Sequence, residues 1–163
     1  MPEELLAIAS SKFPGENQLR ELIFTNARSI FYVTRNLPSP AWGLLGPGAS
    51  GFAILAGKEE HVNPETVNLD ALAASPGSVS VPHDALAAVH LEQKWGAMPA
   101  IVFVFSRQAG PRTVKASISP PLPFIREYGK GPFKADREFR RQFREVLRST
   151  LPPTVRLQDD WKV

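Results

Sequence analysis

The sequence contains no cysteine. Disulfides, thiolate zinc sites and cysteine nucleophiles are therefore excluded. No stretch approaches the roughly 18 consecutive apolar residues of a membrane-spanning helix, so no membrane partner is expected. No serine occupies a G-x-S-x-G turn, which leaves a hydrolase triad without a basis. The glycine-rich "GLLGPGASG" has neither a GK[ST] ending nor the strand–GxGxxG–helix setting of a phosphate cradle. Of His61, His83 and His90, the last two are seven apart and suit one helix face, but no third ligand has suitable spacing, so no zinc site is expected. Internal repeats and low-complexity linkers are also lacking. The opening "MPEELLAIASSKF" is acidic before it is apolar, the reverse of a secretory signal, and the expected location is cytoplasmic.

What is present suits one globular domain over residues 1–163. Hydrophobic residues make up 43% of the 163, enough for a core. The net charge of +3 is unevenly placed. Residues 107–163 hold 13 of the 19 Lys and Arg and 6 of the 16 Asp and Glu, a local net of +7, against −4 for residues 1–106. Such asymmetry suits a polyanionic partner, or a solvated basic helix.

Local patterning predicts alternating helices and strands. "PEELLAIASS" reads as a short helix in an N-terminal extension, residues 1–13, with Glu3 and Glu4 at its positive end. "ENQLRELIFTNARS" places Leu19, Leu22, Ile23 and Ala27 at helical spacing. "IFYVTR", "FAILA", "GSVSV", "MPAIVFVFSR" and "PRTVKASIS" read as strands, "MPAIVFVFSR" as a central one. "GKEEHVNPE" reads as a turn into a poor edge strand, and "VNLDALAAS" is ambiguous. Residues 36–51 carry three prolines and four glycines and read as a long loop. "HDALAAVHLEQKW" reads as a helix begun by His83 or Asp84 and stopped at Gly96. "PPLPFIREYGKGPF" reads as loop. "KADREFRRQFREVLRS" reads as the last helix, with residues 151–163 a C-terminal tail. The class is α/β, a mixed sheet flanked by helices.

The last helix carries the clearest local signal. Phe139, Phe143, Val146 and Leu147 form one face, and Arg137, Arg141, Arg144 and Arg148 form a stripe on another. The stripe suits phosphate neutralisation, or a solvated face balanced by Asp136, Glu138 and Glu145. "LEQKW" holds a Glu-x-Lys, Glu92 and Lys94, which in metal-dependent nucleases places a metal ligand beside a phosphate contact. That use needs a strand, where period two aligns both side chains, whereas a helix is expected here.

The order of elements resembles the archaeal Holliday junction resolvases, members of the PD-(D/E)xK restriction-endonuclease-like nucleases. Gly15, Arg20, Phe31, Val33, Arg35, Pro38 and Ser39 in "GENQLRELIFTNARSIFYVTRNLPSP" fit the family's opening helix, strand and Pro-Ser loop. "SVSVPHDALAAVHLEQKWGAMPAIVFVF" and "IREYGKGPFKADREF" are similar to its later units, and the likeness runs over about residues 14–148. It implies a restriction-endonuclease-like central mixed sheet, a homodimer and a DNA-binding surface. The family's catalytic positions depart from the pattern. Its strand Asp falls on Gly51, its Glu-x-Lys near Pro64 and Thr66 with Glu65 between, and its helix Glu near Leu19.

The resemblance thus implies a resolvase-like protein of recombination or repair that binds branched or duplex DNA without cutting it, or regulates a partner. No catalytic residue, metal or cofactor is assigned. Arg35, Ser39, Lys130, Lys134, Arg137, Arg141, Arg144 and Arg148 are the expected DNA contacts. One alternative is an active Mg²⁺-dependent nuclease using Glu16 or Glu21 with Glu59, Glu60, Glu65 or Asp70. Another is a protein-interaction subunit without a nucleic-acid role.

Overall fold

A computed structural model of the protein describes residues 2–36, 64–94, 98–106 and 112–162. Within them the chain forms β1 (Leu5–Lys12), β2 (Gln18–Thr25), β3 (Arg28–Asn36), α1 (Leu69–Ala74), β4 (Val79–Pro82), β5 (Leu86–Glu92), β6 (Ala100–Phe105), β7 (Thr113–Ser119), α2 (Leu122–Tyr128), α3 (Pro132–Thr150) and β8 (Arg156–Asp159). All eight strands join one sheet in the order β4-β3-β2-β1-β7-β6-β5-β8. Every pairing is antiparallel except that of β5 with β8. The architecture is mixed α/β.

Chain length forces this sheet to curve. β4 and β5 stand six positions apart in it, which in a flat sheet is about 29 Å at the usual strand spacing. Only a tight helical turn, His83–Ala85, joins them, and a link of that length spans at most about 14 Å. The sheet therefore coils until its two halves meet at this corner. The His83 N–H donates to the Ala27 carbonyl at 2.9 Å, and the Ser106 N–H donates to the Ala85 carbonyl at 2.9 Å. The His83 ring is buried against Phe24, with Nε2 3.0 Å from the Ser29 hydroxyl.

Coiling creates an interior that the amphipathic α3 fills. Leu22, Phe24 and Phe31 face Val89, Leu91, Ile101 and Phe103, and Phe139, Phe143 and Leu147 of α3 join them. Phe31 meets Phe103 edge-on at 5.9 Å, and Phe143 meets Phe24 at 5.7 Å. The chain end closes the core. The buried Trp161 lies 6.2 Å from Phe143, and its indole N–H is shared between the Glu92 and Ala100 carbonyls, each at 3.2 Å.

Several expectations are corrected. The N-terminal segment is not a helix in an extension: it is β1, paired to β2 on one side and β7 on the other. "ENQLRELIFTNARS" is not a helix either. Every residue of β2 from Leu19 to Thr25 is buried, so apolar residues occur at all spacings and imitate helical periodicity. The resolvase-like helix expected over 83–95 is β5, which gains pairing from β6 and β8. That pairing outweighs the helix propensity of its alanines. "PPLPFIREY" is α2 rather than loop, because prolines are tolerated in a first helical turn. Residues 151–163 are not a tail, since β8 and Trp161 belong to the core. The strands expected at "IFYVTR", "GSVSV", "MPAIVFVFSR" and "PRTVKASIS" and the last helix are observed. "FAILA", "GKEEHVN" and the loop beyond Asn36 lie outside the described residues.

Two stability predictions follow from the core. Trp161→Ala removes a buried indole and should cost about 3–5 kcal/mol, whereas Arg156→Ala, at an exposed position of β8, should change stability by less than about 0.5 kcal/mol. Urea unfolding of both variants measures this, and a silent Trp161→Ala would mean that residues 151–163 do not hold the fold. Burial lowers the His83 pKa to about 4 from 6.5, ahead of the opposing pull of Asp84 and Glu3. The unfolded chain therefore takes up this proton first as pH falls. The stability is fully present above pH 6.5 and declines toward pH 4, by about 3 kcal/mol in all. His83→Gln should flatten that part of the pH–stability curve measured by urea titration.

Candidate functional site

The arginines of α3 have three different fates. Arg140 is buried beside the apolar face. It pairs with Asp136 at 2.8 Å, donates to Gln93 Oε1 at 2.6 Å and reaches the Lys162 carbonyl at 3.4 Å. Arg141, Arg144 and Arg148 of the expected stripe are all neutralised. Arg141 pairs with Glu138, which also accepts from Gln142 at 3.0 Å. Each partner stabilises the charge of the other: the guanidinium and the amide hold the Glu138 carboxyl below the usual range, and Glu138 raises Arg141. Arg144 and Arg148 converge on Asp159 of β8 at 3.3 and 3.4 Å, and Arg148 also reaches Glu145 at 3.3 Å. These contacts fasten β8 to the helix.

Arg137 is the exception, and it does not stand alone. It is exposed and forms no ion pair with a described residue, as is true of Lys134, Lys130 and Arg126. All four cluster where α2 turns into α3. Gly129 (φ 68°) caps α2 in the left-handed region and Gly131 (φ 91°) precedes α3. Both conformations are ones that glycine adopts without steric cost. Pro132 then fixes the first turn of α3.

At the tip of this corner stands Phe133, 88% exposed. The Lys130 ammonium lies 5.9 Å from the Tyr128 ring centre, and Tyr128 stacks on Phe124 with ring planes 7° apart. Phe124, Glu127, Tyr128, Lys130 and Gln142 line a shallow recess there. Free cations, an exposed ring and a recess with polar walls form the one concentration of unused chemistry that we find among the described residues.

The carboxylates weighed for a nuclease do not converge. Glu16 pairs with Arg20 at 3.1 Å and Asp70 with Arg28 at 2.6 Å. Glu21 is buried, and Glu65 is exposed in a turn before α1. Glu59 and Glu60 lie outside the described residues, as do Ser39 and His61. Arg35 is placed by backbone pairing to Leu19. Glu92 lies on a strand rather than on the expected helix, but it is paired to Lys115 at 3.0 Å. No group of three or more His, Asp or Glu able to hold a metal ion occurs among the described residues. Arg20, which fits the resolvase opening, serves the fold. It donates to the Phe31 and Gly77 carbonyls at 3.2 and 2.7 Å and lies 4.4 Å from the Phe13 ring centre.

Sequence reasoning found Lys130, Lys134 and Arg137 but missed Phe133. A signal was available: at about 100° per residue, Phe133 points roughly 200° away from the buried Ala135. The neutralising role of Asp159 was hidden because a supposed tail supplies it.

No helix among the described residues is long and apolar enough to cross a membrane. No family model matches the chain, and no curated protein does. Among solved structures, the chain is similar to the hSac2 domain from human phosphoinositide phosphatase Sac2. The identity is 6% and the TM-score 0.47, over 100% of this chain and 82% of that one, a likeness too slight to carry an argument about ligand or activity.

Proposed function

We propose that this protein binds nucleic acid at the α2–α3 corner and holds it without cutting it. The observation that carries the reading is the set of unpaired cations Lys130, Lys134 and Arg137 around exposed Phe133, where the rest of the arginine stripe is neutralised. Phosphates would supply counter-charges for these three cations, and their binding releases condensed ions. An aromatic ring among cations is also the pairing that single-strand binders use. DNA remains the proposed partner, with Arg141, Arg144 and Arg148 removed from the contacts because their charge is already spent on Glu138, Glu145 and Asp159.

Binding without cleavage is favoured because Glu16, Asp70 and Glu92 are each held by a cation and Glu21 is buried. A restriction-endonuclease-like core is not required for this reading. The helices it calls for near residues 16–29 and 83–95 are strands. Homodimer formation and a role in recombination or repair, which the resolvase resemblance implies, stay part of the proposal. A twofold pair would present two such corners to one DNA molecule and raise avidity.

Fluorescence anisotropy with labelled DNA at rising salt tests the reading. Three phosphate contacts predict a slope of log affinity against log salt of about −2 to −3. Lys130→Glu, Lys134→Glu and Arg137→Glu together should weaken binding at least about tenfold and flatten that slope. Arg156→Glu, on β8, should have a much smaller effect than the triple change. Affinity that ignores both salt and the triple change would refute the proposal.

A further inference from the structure

We propose that Phe133 stacks on an unpaired base, so that the corner selects single-stranded nucleic acid, or the open strands of a branch, over closed duplex. This rests on the nucleic-acid reading above and adds the class of ligand. Phe133 is 88% exposed, against 48% for Met98 and 38% for Leu6, the other exposed large hydrophobics among the described residues. It is held in the first turn of a 19-residue helix, directly after Pro132. Its position is therefore set by the fold before any ligand arrives, which lowers the cost of ordering it.

The cations suit a stacked nucleotide. Arg137 lies one turn further along the same face of α3, about 6 Å up the axis. Lys134 follows Phe133 directly, and Lys130 precedes it by three residues across Gly131. A base lying on the ring would thus have a cation for the phosphate on either side. The neighbouring recess shares Lys130 and adds Tyr128, Glu127 and Gln142, a ring and hydrogen-bonding groups that suit a second base.

Duplex bases hide their faces in the stack, and exposing one costs a few kcal/mol per step. A single ring at a corner reaches a base face at little cost only where the base is already open. A lipid surface fits less well. One phenyl and three cations give marginal membrane attachment.

The experiment compares the full chain with Phe133→Ala and Phe133→Trp. The probes are an oligothymidylate carrying one 2-aminopurine, the same strand closed into duplex, and phosphatidylcholine–phosphatidylserine vesicles. Phe133→Ala should weaken single-strand binding about 5- to 150-fold, the range expected for one stacked base. It should also abolish the change in 2-aminopurine fluorescence while leaving the salt slope intact. Phe133→Trp should restore both, and duplex affinity should not respond to either change. Because the side chain is exposed, the variants should keep the parent's thermal unfolding midpoint. Single-strand affinity unchanged in Phe133→Ala overturns stacking. If the Lys130, Lys134 and Arg137 reversal still abolishes binding in that case, the broader reading stands. No binding of either DNA by the parent chain overturns both, and vesicle binding lost in Phe133→Ala without any DNA binding assigns the corner to membranes instead.

Discussion

The His83–Ala85 turn between β4 and β5 is the constraint on which the molecule depends. It is too short to bridge a flat sheet, so it converts eight strands in a row into a coiled wall with an inside. Inside, one face of α3, with Phe139, Phe143 and Leu147, joins the apolar residues of the sheet. Everything on the opposite face of α3 is thereby committed to solvent, to β8 or to a ligand. A buried neutral imidazole sits in that turn and ties the closure of the wall to the acidity of its surroundings.

Charge counted along the chain is a poor guide to charge offered to a partner. Residues 107–163 carry a net of +7, yet arginines 140, 141, 144 and 148 are bound to carboxylates of the same region. Such pairs have structural consequences where they join distant elements, as Arg144 and Asp159 do, and little where both groups are in water. Among the described residues, the cations of this region that form no ion pair include the smaller set Lys130, Lys134 and Arg137, beside the exposed Phe133.

Much of the fold was legible, and the failures share a cause. β3, β4, β6, β7 and α3 could be read because β-branched runs and a clean amphipathic stripe leave little choice. β1, β2 and β5 were read as helices. They are rich in Ala, Leu and Glu, and their state is decided by partners far along the chain rather than by local propensity. β2 also lacks alternation because both of its faces are covered. The candidate site was half legible. Its cations were evident, but recognising which of them were free needed Asp159, which lies beyond Pro152 and Pro153. The tail that these prolines suggested proved to be part of the core.

The position of β8 has one more effect. A sheet boundary exposes a row of unpaired amides and carbonyls that can recruit strands from other molecules. β5 carries seven residues, among them Val89 and Leu91, and would be a hazardous boundary if left bare. Among the described residues, the four residues of β8 cover it and present a short rim with Arg156 and Asp159 at its ends. Loss of β8 would uncover that longer margin, so this short strand shields β5 as well as completing the core.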